Sequence, residues 1–296
     1  MPSRHAYDAH ELLVRTARKQ PQLWRLVVGF VVLTLVAYLL FWLANSLLTA
    51  VFPGPWHDGL IDGTNPAAML ALLGGFGFII VGVAVAAVLM QKRSIFSITG
   101  PTPLLVQQFG RVSLYLMALG AALLLLPPYQ MDAPMQPNLP LVIWLALLPF
   151  SLLALLVQTG AEEILFRGYI QQTLAARFRH PAVWLLAPSI LFSLGHYLPA
   201  EAGDNALLIA CWAGLFGLLM ADLTARAGTL GPAIAVHFFN NLTALVLFAS
   251  PSSLNGLALY LLPYEMSDVE ALRPWMAVDF ALMLIGWLVA RLAIRR

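Results

Sequence analysis

The sequence predicts an all-α, polytopic integral membrane protein of about eight transmembrane helices around an intramembrane polar site. Three observations lead there. Of 296 residues, 60% are hydrophobic and only 10% charged, whereas soluble domains average about 45–50% apolar and about 25% charged. The apolar residues fall into eight stretches, several near the roughly 20 residues that one crossing needs. Finally, the basic residues gather on one side of the map those stretches define. This composition excludes an ordinary soluble enzyme, a disordered chain and a nucleic-acid-binding protein. A net charge of +2 is too small to imply a polyanionic partner. The single cysteine, Cys211, can form neither an internal disulfide nor a multi-thiolate metal site.

The spans follow in order. The first runs from about Val27 to Val51, the second from about Ala67 to Met90, the third from about Val112 to Leu126. The fourth begins near Leu141 and runs past Val157 into a polar cluster. The fifth covers about Val183–Tyr197, the sixth Ala206–Ala221, the seventh Leu230–Ala249 and the eighth Trp275–Ala293. Several contain Pro or Gly, which spanning helices tolerate. Eight crossings place Arg4, Arg15, Arg18, Lys19, Arg25, Lys92, Arg93, Arg111, Arg167, Arg177, Arg179, Arg226, Arg291, Arg295 and Arg296 on one side, with only Arg273 opposite. The other side collects Asp58, Asp62, Asp132, Glu201, Asp204, Glu265, Asp268 and Glu270. The positive-inside rule then predicts a multi-pass protein of the cytoplasmic (inner) membrane with both termini cytoplasmic. Residues 1–26 form a cytoplasmic N-terminal segment. Its Leu12, Leu13 and Leu23 among basic residues suit an interfacial amphipathic helix as well as a solvated tail. Residues 27–296 form a single helical membrane domain.

Ionisable groups in a span are expensive, roughly 2.5–3.5 kcal/mol near the bilayer centre, and need a reason. Three clusters stand out: Glu162-Glu163 with Arg167, Phe192 with His196, and His237 with Asn241. Residues four apart share a helix face, so Glu163 can pair with Arg167 and His237 stands beside Asn241. Glu162 points about 100° away from Glu163 and is free for another role. If the fourth and fifth helices turn near Arg179, Glu162 and His196 both lie about 25 Å from the turn and face each other. A turn near Gly228 leaves His237 only about 14 Å deep. Either the fourth helix extends beyond the bilayer, or Pro188 bends the fifth, or the turn is misplaced.

Each cluster alone has a bland explanation. Glu162, Glu163 and Arg167 make a structural salt-bridge network; His196 is a helix contact; His237 and Asn241 are interhelical glue worth about 0.6 kcal/mol per bond. Their coincidence is what argues for chemistry. Other chemistries fail on the residues. His10-Glu11 lacks the second His of a zinc-binding HExxH helix, and no GxSxG elbow or phosphate-cradling Gly-rich loop occurs. Glu201 stands where the Gly203-Asp204 pair would need a Gly to resemble an intramembrane aspartyl motif.

These three clusters resemble the CPBP family, the CAAX-protease and bacteriocin-processing (Abi) intramembrane proteases, whose best-known branch is the type II CAAX prenyl endopeptidase. The family pattern EExxxR, FxxxH, HxxxN reads here as Glu162-Glu163 with Arg167, Phe192 with His196, and His237 with Asn241, over about residues 141–250. The resemblance implies an intramembrane endopeptidase acting on a membrane-associated or lipidated protein or peptide. By the same resemblance Glu162 is the general base, His196 shares or orients the water, His237 and Asn241 hold the oxyanion, and Glu163 and Arg167 orient the site. No cofactor is favoured; zinc held by Glu162, His196 and His237 is the alternative, since His2Glu is a known catalytic zinc set. A non-proteolytic membrane regulator or immunity-type protein is the rival function. A proton-coupled transporter is a third, disfavoured because no inverted repeat is evident.

Overall fold

The computed structural model describes residues 6–52, 54, 57, 59–126 and 133–295. Arg4, Asp58, Asp132 and Arg296, which enter the charge map above, lie outside the described residues. The described residues are 78% helical. After a short 3-10 turn (Asp8–His10), the helices are α1 (Glu11–Ala17), α2 (Leu23–Val51), α3 (Pro66–Gly75), α4 (Gly77–Gln91), α5 (Ile95–Thr99), α6 (Thr102–Leu124), α7 (Leu141–Glu163), α8 (Gln171–Arg177), α9 (Pro181–Gly195), α10 (Pro199–Ala202), α11 (Ala206–Ala227), α12 (Gly231–Leu242) and α13 (Val269–Ile294). Each of the eight apolar stretches is mainly helical, although the seventh, Leu230–Ala249, runs beyond α12 through a π-helical turn into a short strand. Among the described residues, five runs are long and apolar enough to cross a membrane: Leu23–Val51, Pro66–Gln91, Leu141–Arg177, Pro199–Ala227 and Val269–Ile294. The runs Pro181–Gly195 and Gly231–Leu247 are shorter apolar helices, and α6 is not among the five. Length and composition therefore support five crossings, and the count of eight is not established by them.

The local chemistry of the helix ends is legible. Asn65 and Asp268 cap α3 and α13 by accepting hydrogen bonds from the backbone N–H of Ala68 and Ala271. Pro occupies the first turn of α3, α6, α9, α10 and α12, where its missing N–H is harmless. α11 ends on Gly228 at φ 72°, a left-handed position suited to glycine.

Hydrogen bonds tie the two ends of the bundle. At one end Arg25 donates to the Met90 carbonyl, Gln91 to Thr173, Arg93 to Gln172, and Tyr7 to Asp222. The N-terminal segment is docked there: Leu13, Val14 and Ala17 are buried, and His10 packs on Trp184 with ring centroids 4.7 Å apart. At the other end Asn138 donates to the carbonyls of Asn255 and Ala258, and Asn205 to those of Met266 and Asp268. A small sheet closes this end. β3 (Tyr260–Leu261) pairs antiparallel with β1 (Gln136–Pro137) and parallel with β2 (Phe248–Ala249).

The long helical run Leu141–Arg177 positions the site. Its 37 residues span about 55 Å at the α-helical rise, against about 30 Å of hydrocarbon. Between α7 and α8 it passes through a π-helical turn, Ile164–Ile170. This resolves the depth mismatch noted above, because the fourth helix overshoots the turn before α12. Gln172 donates to the Ile98 carbonyl and the Leu230 N–H to the Thr99 carbonyl, so α8 and the start of α12 share one anchor on α5. Glu163 is nine residues from that anchor and His237 seven, which brings them level.

Candidate active site

α7 and α12 run antiparallel and meet along two polar rungs. On the first, Asn241 donates through Nδ2 to Gln158 Oε1 at 2.9 Å. On the second, one turn along, His237 lies against both glutamates. Its Nδ1 is 2.8 Å from Glu163 Oε1, and its Nε2 is 3.5 Å from Glu162 Oε2. The spacing that places Gln158 and Glu162 on one face of α7 places Asn241 and His237 on one face of α12.

Glu163 is the hinge of this arrangement. It is fully buried, and its Oε1 accepts from Arg167 Nη1 at 2.9 Å as well as from His237. A carboxylate can only accept, so His237 Nδ1 carries a proton and Nε2 is turned toward Glu162. Arg167 is itself only 1% exposed, with Nη2 unpartnered among the described residues. Two features make room for it. The guanidinium lies 4.8 Å from the Phe192 ring centroid, a cation–π contact. Gly217 of α11 leaves a gap in which a Cβ would stand 3.3 Å from Arg167 Nη2 and 3.1 Å from Ser189 Cα.

Glu162 differs from its neighbour. Its side chain keeps 15% exposure, and 3.5 Å to His237 is an ion-pair distance too long for a good hydrogen bond. Its Oε2 has no hydrogen-bond partner among the described residues. With Oε2 buried and unpaired and the rest of the side chain partly exposed, this carboxylate is free to engage a reactant.

His196 does not face Glu162 directly. It closes α9 as its C-terminal cap, and among the described residues it makes no contact within 4 Å of a carboxylate. Its Nδ1 lies 2.8 Å from the Phe192 carbonyl, which can only accept, so neutral His196 presents Nε2 as an acceptor. Phe192 joins it to the rest. The Phe192 ring lies 4.4 Å from His196 and 6.1 Å from His237, centroid to centroid. Phe216 adds an apolar wall 5.0 Å from His237, backed by Trp212 stacked at 5.4 Å. Thus Glu162, Glu163, Arg167 and His237 form one contact network, Asn241 joins through α12, and His196 joins through Phe192.

Gln158, Phe216 and Gly217 were not singled out from the sequence. Gln158 had a readable signal, a polar side chain one turn before Glu162 in an apolar helix. Phe216 and Gly217 had none, because an aromatic and a glycine in a spanning helix are ordinary.

The zinc alternative requires Glu162, His196 and His237 to converge. Among the described residues no group of three or more His, Cys, Asp or Glu is placed to hold a metal ion. The three zinc-alternative side chains are thus not brought together as a ligand set, and no step below is routed through a metal.

A family-model match falls on this region. Residues 144–243 match the family model of the type II CAAX prenyl endopeptidase Rce1-like proteins, bearing out the resemblance read from the sequence. The match holds all six candidate residues: Glu162, Glu163, Arg167, His196, His237 and Asn241. YyaK of Bacillus subtilis (strain 168), described as an uncharacterized protein, is 26% identical over 187 residues, 60% of this chain. The chain spans 60% of the length of that curated relative. No solved structure matches.

Proposed function

We propose that the protein is an intramembrane endopeptidase that cleaves a membrane-associated or lipidated, CAAX-like peptide with water activated by Glu162. The observation that carries the reading is the asymmetry of the two adjacent carboxylates. Glu163 is fully buried and committed through Oε1 to Arg167 and His237, whereas Glu162 beside it keeps 15% exposure and makes only a 3.5 Å contact with His237 Nε2. Glu162 takes a proton from water as its oxygen attacks the scissile carbonyl carbon. The C–O bond forms, and the carbonyl oxygen becomes an oxyanion. The Asn241 carboxamide donates to that oxyanion together with the Nε2–H that His237 carries in its imidazolium form, a type of interaction worth about 2.7–4 kcal/mol per donor. The C–N bond then breaks, and the proton on Glu162 passes to the leaving amine. His196, holding Nδ1–H on the Phe192 carbonyl, accepts from the water through Nε2. Glu163 and Arg167 hold His237 in one orientation, which is the contribution of proximity rather than of proton transfer.

In this reading the protein sits in the cytoplasmic membrane with both termini cytoplasmic. The end of the bundle that carries Arg25, Arg93 and Arg226 faces the cytoplasm, as the positive-inside rule favours. The test is a comparison of membrane proteomes from cells carrying the wild-type chain and its Glu162→Gln variant. Specific peptides are expected to accumulate uncut in the variant. Identical peptide profiles, with both proteins present at equal level, would instead support a non-proteolytic regulator.

A further inference from the structure

Building on the endopeptidase reading, we propose that Gln158 is a positioning residue: it orients the Asn241 carboxamide so that one amide N–H faces the reacting carbonyl. Three observations carry this. Gln158 is 6% exposed, in a helix where a buried polar side chain needs a partner. Its Oε1 accepts from Asn241 Nδ2 at 2.9 Å, while Asn240 Nδ2 donates to Asn241 Oδ1 at 3.1 Å. An amide NH2 has two hydrogens and the amide oxygen is an acceptor. With Oδ1 engaged and one N–H spent on Gln158, the rotation of the carboxamide is fixed and one N–H remains free. Gln158 and Glu162 stand one turn apart on α7, as Asn241 and His237 do on α12. The helix that carries the base therefore also aims the oxyanion donor, and both are set by one interhelical register.

A free Asn carboxamide rotates among several orientations, and a donor contributes to catalysis only if it is already aimed where the oxyanion forms. Removing Gln158 should thus slow turnover through Asn241 and leave substrate binding alone. The experiment uses purified full-length protein in detergent with a fluorogenic peptide carrying a prenylated cysteine. Gln158→Met, Asn241→Ala, the double variant and Glu162→Gln are compared with wild type. Gln158→Met is expected to lower kcat about tenfold with KM within twofold. Asn241→Ala is expected to lower kcat about 100-fold. The double variant should be no slower than Asn241→Ala, because Gln158 acts only through Asn241. Losses that multiply in the double variant, or an unchanged kcat in Gln158→Met, overturn the proposal. Gln158→Asn, which keeps an amide but is one methylene too short to reach, replaces Gln158→Met if that variant does not fold, and the same outcomes are expected of it. An active Glu162→Gln, or a wild type that leaves the peptide uncut, refutes the endopeptidase reading itself. An inactive Glu162→Gln beside a fully active Gln158→Met refutes only the role of Gln158.

Discussion

Replacing either of two adjacent glutamates by glutamine should give unequal results in stability. Glu163→Gln keeps the shape of the side chain and removes its charge. Arg167 Nη1 then loses its carboxylate partner at 2.9 Å, and Nη2 has no partner among the described residues to compensate. The guanidinium is 1% exposed, so water cannot solvate it in place. Breaking a buried ion pair by removing one partner costs about 3–5 kcal/mol. The amide oxygen can still accept, so the lower end, about 3 kcal/mol, is expected. Glu162→Gln removes a charge that is 15% exposed and makes no good hydrogen bond. Its expected effect on stability is within about 1 kcal/mol, in the range of substitutions that leave no buried group unpaired. Both variants should be inactive. Equilibrium unfolding by SDS titration in mixed micelles, followed by far-ultraviolet circular dichroism, separates them. Equal destabilisation by the two substitutions, or a Glu163→Gln variant as stable as wild type, would refute the division of labour between the two carboxylates.

Three further outcomes are expected. His10 is buried against Trp184, and burial, with a smaller push from Arg18, lowers its pKa to about 4 from the usual 6.5. Above pH 6.5 it is neutral docked or undocked and contributes nothing; between pH 6.5 and 4 only the undocked form takes the proton. Docking of the N-terminal segment should therefore weaken by up to roughly 3 kcal/mol as pH falls through that window. Limited proteolysis of residues 7–17 across the window, with His10→Leu abolishing the pH dependence, checks this. Gly217→Ala puts a Cβ 3.1 Å from Ser189 Cα and 3.3 Å from Arg167 Nη2. It should destabilise by about 1–3 kcal/mol and lower activity, measured by unfolding and peptide cleavage. Gly29→Ala places a Cβ on Tyr169 Oη, which has no hydrogen-bond partner among the described residues. Tyr169→Phe should be nearly neutral alone and should restore most of the stability that Gly29→Ala loses, a coupling readable in a double-mutant unfolding cycle.

The helical class and the Glu163–Arg167 pair were legible in the sequence because both depend on local rules. Apolar run length needs no knowledge of neighbours, and an i,i+4 contact lies within one helix. The level of His237 was not legible, since it depends on how far α8 overshoots and on which backbone carbonyls of α5 it grips. The π-helical turns Ile164–Ile170 and Thr243–Leu247 were equally hidden. Each follows directly on a polar stretch of the site and shifts every later side chain around its helix axis, and no residue pattern announces them. Facing Glu162 with His196 across a hairpin rested on equal distances from one turn. The structure gives that place to His237, because α12 rather than α9 runs against the polar face of α7.

Hydrolysis of a peptide carrying a prenylated cysteine by purified protein, with and without the Glu162→Gln substitution and with and without excess chelator, tests the central claim most directly. Wild type should cleave at a rate the chelator does not change, and Glu162→Gln should not cleave. A Glu162→Gln variant that cleaves as fast as wild type would contradict it.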